Sequence, residues 1–357
     1  MTAITTNIRS TVEKAFDGFI GQSNAVYAVK RSLAIALSRE PIYLDRTFLL
    51  VGPASTGKTD LSKRVAGALG VPFIRLDGHA VKTREELFDM IDEKLFTVGQ
   101  TAKHTGEQSG MRVLEYPPFA VMIDEVHTLG LRTQESLLTA IESDDRSAVI
   151  KGRDGRFVAV LKQAFFIFAT TKASELDDAF RSRCTEIVLS RYTVEEVAQI
   201  VARRFADLPA EIHTRIAMCG RRVPRAALDI ARDVRDEIAI SEGANIDECV
   251  RRVMLGRGIA SRNGLTLNDL QYLEVLAREG GPVGERRLLS MLPDVESERV
   301  RDEIEPYLVQ LGYIRQLRDG REITRVNIVD PHGLSGREAL DALKKSLETP
   351  RQPALFA

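Results

Sequence analysis

The spacing of apolar positions changes along this chain, and the changes mark its parts. Before about residue 190, short apolar runs alternate with longer amphipathic stretches. The runs are TFLLVG (47–52), VPFIRL (71–76), FAVMID (119–124) and AFFIFATT (164–171), with helical segments such as DLSKRVAGALG (60–70) between them. Consecutive apolar residues over that length predict buried strands, and their alternation with helices predicts a parallel α/β sheet. Segment 97–118, TVGQTAKHTGEQSGMRVLEYPP, is polar and reads as a flexible loop.

Beyond Tyr192 the strand pattern stops. VEEVAQIVARRFADL (194–208), AEIHTRIAMCG (210–220), PRAALDIARDVRDEIAI (224–240) and IDECVRRVML (246–255) have helical apolar spacing and predict a small bundle. SRNG (261–264) reads as a joint. TLNDLQYLEVLARE (266–279), GERRLLSML (284–292) and SERVRDEIEPYLVQLG (297–312) then predict three helices. YIRQLRDGREITRVNI (313–328) predicts two strands about a turn at Arg318–Gly320, completing the outline of a winged helix. The expected division is a large α/β domain at 1–190, a helical domain at 191–260, a winged helix at 261–330 and a flexible tail at 331–357.

Composition narrows the class only a little. A net charge of −1 excludes a broad polycationic coat, so any nucleic-acid contact must be local. No apolar run approaches the roughly 18 residues of a membrane span. The N-terminus also lacks a signal-peptide core, so a cytoplasmic protein without membrane contact is expected. Cys184, Cys219 and Cys249 lie far apart with no metal-type spacing, which fits a reducing compartment and argues against a zinc site.

The chemistry is concentrated in the first part. GPASTGKT (52–59) lies between a strand and a helix, the context a phosphate-binding loop requires. Gly52 and Gly57 permit the tight turn, so that backbone N–H groups surround phosphates at a helix N-terminus. The expected ATP-binding surface is Gly52, Pro53, Ser55, Thr56, Gly57, Lys58, Thr59 and Asp60. Lys58 reaches the β- and γ-phosphates, and Thr59 holds Mg²⁺. FAVMIDEVH (119–127) ends a second strand in two carboxylates. Asp124 is placed to bind Mg²⁺ through water and Glu125 to polarise the attacking water, whereas His127 reads as a structural turn residue. A third strand ends at Thr170 and Thr171, and Thr171 is the expected contact near the γ-phosphate. LDDAFRSRC (176–184) offers Arg181 and Arg183 past that strand, and Arg183 is the stronger candidate to reach a neighbouring subunit's nucleotide. RRVPRAAL (221–228) places Pro224 and Arg225 at a helix start, where Arg225 is expected to fold over the same nucleotide.

In this order the motifs resemble the AAA+ ATPases, and within them the RuvB family of branch-migration motors. The resemblance runs over about residues 9–330. It rests on FIGQ (19–22), the hairpin within IESDDRSAVIKGRDGRFVAVLKQAFFIFATT (141–171), YTVEEVAQIV (192–201), VPRAA (223–227), and GGPVGERRLLSML (280–292) followed by EPYLVQLGYI (305–314). It implies an adenine enclosed by Phe19, Ile20, Tyr192 and Pro224, Arg183 acting in trans, Arg225 as a second sensor, and a homo-oligomer, a hexameric ring. Three features depart from it. The loop reads GPASTGKT where RuvB has GPPGLGKT, the stretch between Pro72 and Phe119 is longer, and the hairpin tip RDGR (153–156) is charged. That charge counts against a RuvA-like partner, which RuvB grips with an apolar hairpin. IDEVHTL (123–129) and RSRC (181–184) also resemble clamp-loader subunits, but the four cysteines of the clamp loader's zinc module are missing.

Helix 296–311 is too acidic for a major groove, so the expected DNA contacts are the wing arginines Arg315, Arg318, Arg321 and Arg325. The tail carries QPALF (352–356), whose Gln352, Leu355 and Phe356 resemble the peptide by which bacterial proteins dock on a sliding clamp. The leading expectation is an ATP-driven DNA motor acting on duplex or branched DNA. A clamp-associated AAA+ switch and a DNA-binding adaptor without motor activity are the alternatives.

Overall fold

Strand periodicity explains how the first half of the chain is built. The computed structural model describes residues 3–324 apart from 41, 43, 45, 46, 143–146, 153, 154, 242, 244 and 262; Arg325 and the tail residues Gln352, Leu355 and Phe356 lie outside the described residues. The chain divides into two compact units, Met1–Tyr192 and Thr193–Ala357.

In the first unit α1 (Ala3–Ala15) and α2 (Ser23–Leu37) precede β1 (Thr47–Val51), α3 (Lys58–Leu69), β2 (Phe73–Asp77) and α4 (Arg84–Thr97). Then come β3 (Lys103–Gln108), β4 (Met111–Glu115), β5 (Phe119–Asp124), α5 (Leu131–Glu142), β6 (Ser147–Gly152), β7 (Gly155–Val160), β8 (Ala164–Thr170), α6 (Asp178–Ser182) and β9 (Cys184–Val188). The main sheet is parallel in the order β2-β5-β8-β1-β9. Successive side chains of a strand point to opposite faces. Phe48, Leu50, Ala120, Met122, Phe165 and Ile167 therefore enter the core shared with α2 and α3. Leu49, Val121, Ile123, Phe166 and Phe168 enter the core on the other face, shared with α4 and α5. Burial on both faces is why these strands read as continuous apolar runs.

The structure corrects one expectation here. Segment 97–118 is not a loop: β3 and β4 form a hairpin, and β4 pairs in parallel with β7, giving a second sheet in the order β3-β4-β7-β6. The turn is Ser109–Gly110, with φ of 51° and 73°. Two positive φ values match a two-residue turn to the right-handed twist of the flanking strands. Leu114 packs against the core and Tyr116 is buried in it, which anchors an otherwise polar hairpin.

The second unit opens with α7 (Val194–Arg204), α8 (Ala210–Cys219), α9 (Pro224–Ile240) and α10 (Ile246–Gly256). Thr193 and Glu196 cap α7 reciprocally, satisfying amides that the first turn leaves without partners. There follow α11 (Leu267–Glu279), α12 (Glu285–Ser290), α13 (Ser297–Arg299) running through a π turn at Val300–Ile304 into α14 (Glu305–Gln310), and the hairpin β10 (Ile314–Leu317) and β11 (Gly320–Ile323). Val283 bridges to Arg321 and adds a third edge to the wing. The parallel α/β sheet, helical part and winged helix expected from periodicity are all present.

Arg221 joins the helical part to the winged part. Its Nε donates to the Gly264 carbonyl at 3.1 Å, its Nη2 contacts Thr266 Oγ1 at 3.3 Å and the Asp269 carboxylate, and its guanidinium lies 4.6 Å from the Tyr307 ring centroid. Asp269 is fully buried, and its Oδ1 has no hydrogen-bond partner among the described residues. Burial pushes the Asp269 carboxyl up, and Arg221 pulls it down. Removing one partner of a buried pair leaves an uncompensated charge, so Arg221→Ala is expected to cost about 3–5 kcal/mol. Without Arg221 only the Thr266 amide and hydroxyl still oppose the upward push of burial, so the folded pKa rises further; the deficit is full above it and fades as pH falls towards about 4, the usual carboxylate range. Denaturant melts of wild type and variant at pH 7 and pH 4.5 check this; equal deficits at both pH values would assign the loss to packing.

Candidate nucleotide site

The loop after β1 is shaped by steric demands that its residues meet. A Cβ at Gly52 would lie 2.3 Å from the Leu189 carbonyl oxygen, so the end of β1 can pass β9 only with glycine there. Gly57, at φ 94°, is the left-handed residue that starts α3, and Ser55 also has a positive φ of 63°. Thr56 is buried and donates to the Pro53 carbonyl at 2.9 Å. Lys58 is buried, with Nζ donating to the Gly52 and Pro53 carbonyls at 2.7 and 2.8 Å. Burial lowers its pKa, while Glu125 and Asp124 push it back up, which puts all three charges in one electrostatic field. Thr59 follows it on the first turn of α3, half-buried, and Asp60 is exposed and paired with Arg64 at 3.0 Å.

The acids end β5. Asp124 Oδ2 lies 2.6 Å from Arg75 Nη2, and its Oδ1 accepts from the Glu125 amide at 3.2 Å. Glu125 sits at φ 49°, ψ 49°, a left-handed conformation that costs a non-glycine residue about 1–3 kcal/mol. Its Oε2 accepts from the Thr171 amide at 3.1 Å and from Thr171 Oγ1 at 2.9 Å. His127 is half-buried with its side chain largely covered, its Nδ1 2.9 Å from Thr170 Oγ1 and 3.3 Å from Glu125 Oε2. A Cβ at Gly78 would lie 2.6 Å from the Glu125 carbonyl oxygen, so the end of β2 presses directly on this turn.

Around the loop, Tyr192 Oη and the Phe19 ring flank Gly57: a Cβ there would lie 2.7 Å from the first and 3.4 Å from the second. Arg64 covers Phe19, with its guanidinium 5.2 Å from the ring centroid. Ile20 is half-buried beside it in sequence. Arg181 and Arg183 differ in their engagements: Arg181 pairs with Glu186 at 3.0 Å, whereas exposed Arg183 donates to the Ala179 carbonyl at 3.2 Å, at the end of its own helix.

The structure thus brings together the loop residues, Asp124, Glu125, Thr171, Phe19 and Tyr192 in the first unit. Pro224 and exposed Arg225 open α9 in the second unit. Sequence reasoning gives Gln22, Arg64 and Arg75 no role of their own and sets His127 aside as a structural turn residue; Arg75, a charge inside the apolar strand FIRLD, is the one with a visible signal.

The wing requires a correction. Arg321 does not offer its charge to a ligand: its Nε donates to Glu305 Oε1 at 2.8 Å, and Glu305 is buried, also accepting from Tyr272 Oη and Gln316 Nε2 at 2.9 Å each. Arg321 therefore holds the winged helix together from inside. Arg315 pairs with Glu322 at 2.7 Å but stays exposed. Arg318 and Arg286 are exposed and have no ion pair among the described residues.

Comparison with known proteins bears on this arrangement. Residues 48–192 match the model of the ATPase family associated with various cellular activities, AAA. Residues 262–328 match the RuvB C-terminal winged helix domain. The solved RuvB Holliday junction branch migration motor of Thermotoga maritima is 26% identical, covering 88% of this chain and 96% of its own, with a TM-score of 0.64. The chain is a RuvB-like AAA+ ATPase. A lysine-to-arginine variant of the Thermotoga RuvB matches at 27% identity, 87% and 94% coverage and a TM-score of 0.63. A threonine-to-valine variant matches at 26%, 88%, 96% and 0.64. As an ATPase of this class the RuvB-like chain binds nucleotide. None of its described helices is long and apolar enough to cross a membrane.

Proposed function

We propose that this RuvB-like ATPase is an ATP-driven, ring-forming DNA motor that acts on duplex or branched DNA. The observation that carries the reading is the joint presence of the Lys58–Asp124–Glu125–Thr171 cluster and a winged helix of RuvB type in one chain. Backbone amides of the loop from Gly52 to Gly57 hold the phosphates, with Pro53, Ser55 and Thr56 shaping the turn and Asp60 fixed to Arg64 beside it. Lys58 neutralises phosphate charge. Thr59 and Asp124 offer a hydroxyl and a carboxylate, the hard oxygen donors that Mg²⁺ prefers, and Mg²⁺ bound there would screen the phosphate oxygens. Glu125 orients and polarises the attacking water, and Thr171 holds the Glu125 carboxylate in place. Phe19, Ile20, Tyr192 and Pro224 enclose the adenine. Arg225 senses the nucleotide from the helical part, and Arg183 acts on the neighbouring subunit's phosphates.

On the DNA side, the exposed wing arginines, Arg318 foremost with Arg315, contact phosphates, joined by Arg325 from outside the described residues. Arg286 adds a charge from α12, and Val283, two residues before that helix, bridges to the wing. The test is the ATPase rate with four-way junction, linear duplex and single-stranded DNA while oligomer size is followed. Junction or duplex should stimulate a ring-sized assembly. Arg318→Ala should weaken DNA binding alike for all sequences and flatten its log–log salt slope by about 1. If no DNA stimulates hydrolysis, the motor reading fails and a clamp-associated switch takes its place, favoured by QPALF at 352–356. Sliding clamp should then stimulate the ATPase only while Gln352, Leu355 and Phe356 are intact.

A further inference from the structure

Gln22 is the side chain of FIGQ to which the nucleotide reading gives no role, yet its carboxamide is held by three contacts. It stands at the N-cap of α2 in a left-handed conformation, φ 56° and ψ 34°, directly after Gly21 at φ 70°. An N-cap side chain ordinarily accepts from the first turn of its own helix, but Gln22 makes no such bond. Its carboxamide goes instead to Ser190, 168 residues away: Nε2 donates to the Ser190 carbonyl at 2.6 Å, and Oε1 accepts from the Ser190 amide at 3.0 Å. A third, longer contact of 3.4 Å runs from Nε2 to the Thr56 carbonyl in the phosphate loop. One side chain thus binds both peptide groups of the residue that leaves β9, just ahead of Tyr192. Phe19, three residues before Gln22, and Tyr192, two after Ser190, are the two side chains that flank Gly57.

We propose that Gln22 is a positioning residue for the base-side wall of the nucleotide site: its carboxamide ties the Phe19 segment to the Tyr192 segment and fixes the gap between them. The inference rests on the nucleotide site assigned above. The clasp acts on the walls beside the nucleoside, whereas the phosphates are held by the loop itself through Lys58 and backbone amides. Loss of the clasp therefore weakens recognition of the nucleoside and spares the phosphates. The left-handed backbone of Gln22, costly for a non-glycine residue, is offset by the two Ser190 bonds that its side chain makes from there.

The experiment measures KM and kcat for ATP, and the inhibition constant of inorganic tripolyphosphate in the same assay, for wild type, Gln22→Ala and Gln22→Glu. Melting temperatures are taken without nucleotide. Losing two hydrogen bonds predicts a KM about tenfold higher in Gln22→Ala, with kcat within about threefold and the tripolyphosphate constant unchanged. Gln22→Glu keeps the shape but places a carboxylate against the Ser190 and Thr56 carbonyls, so its KM should rise at least as far. If KM and the tripolyphosphate constant rise together, with a lowered melting temperature, Gln22 is a general fold residue and the proposal is overturned. Unchanged KM in both variants overturns it as well. Absence of ATP hydrolysis in the wild type would instead remove the nucleotide reading beneath it.

Discussion

Glu125→Gln is expected to keep nucleotide binding and to lower hydrolysis by about 10²–10⁴-fold, the range for losing a general base. Three observations support so specific an effect. The carboxylate is anchored on one oxygen by the Thr171 amide and hydroxyl, which leaves the other oxygen to act on a water. Its backbone is held in a left-handed turn by the Thr128 amide and hydroxyl, which donate to the Glu125 carbonyl at 2.9 and 2.8 Å, and by the close approach of Gly78. Glutamine has the same shape, and its amide oxygen can accept the Thr171 bonds, so the substitution removes charge and basicity while preserving position. Equilibrium ATP binding and single-turnover hydrolysis separate the two quantities. A variant that hydrolyses ATP at the wild-type rate would place the base elsewhere, with His127 as the next group to test.

What the sequence makes legible here is what is local in it. The phosphate loop lies within eight successive residues, GPASTGKT, and its glycines are demanded by backbone conformation and by close approach to Leu189. The Asp124–Glu125 pair is equally local, at the end of an apolar strand. The strand that hides is β3: KHTGEQ contains no large apolar residue, and it becomes a strand because β4 is already fixed along β7, some forty residues further on. Local propensity has no access to a pairing of that kind. Arg321 misleads for a related reason. A charge on a short hairpin reads as solvated, and so does an acid such as Glu305 in an acidic helix, yet the two neutralise one another inside the winged helix. Gln22 and Ser190 are the extreme case, since no spacing rule connects residues 168 positions apart.

Arg183→Ala carries the other large expectation, a loss of about 10³-fold or more in turnover with ATP affinity largely retained. Arg183 stands at the exposed end of α6, just past the strand that presents Thr171, while neighbouring Arg181 is engaged by Glu186. Within its own chain Arg183 donates to the Ala179 carbonyl at the end of α6. If it acts across a subunit interface, the defect belongs to the neighbour's site and can be complemented. Lys58→Ala subunits have a defective loop but an intact arginine; Arg183→Ala subunits have the reverse. In a head-to-tail ring, mixing the two inactive proteins creates interfaces that combine the good loop of one with the good arginine of the other, so activity should return in the mixture. Activity that stays absent over all mixing ratios, in assemblies shown to exchange subunits, would place Arg183 on its own subunit's nucleotide or on none. Wild-type turnover in Arg183→Ala alone would make it a surface residue, and the charge that completes the site would then have to be sought in Arg225.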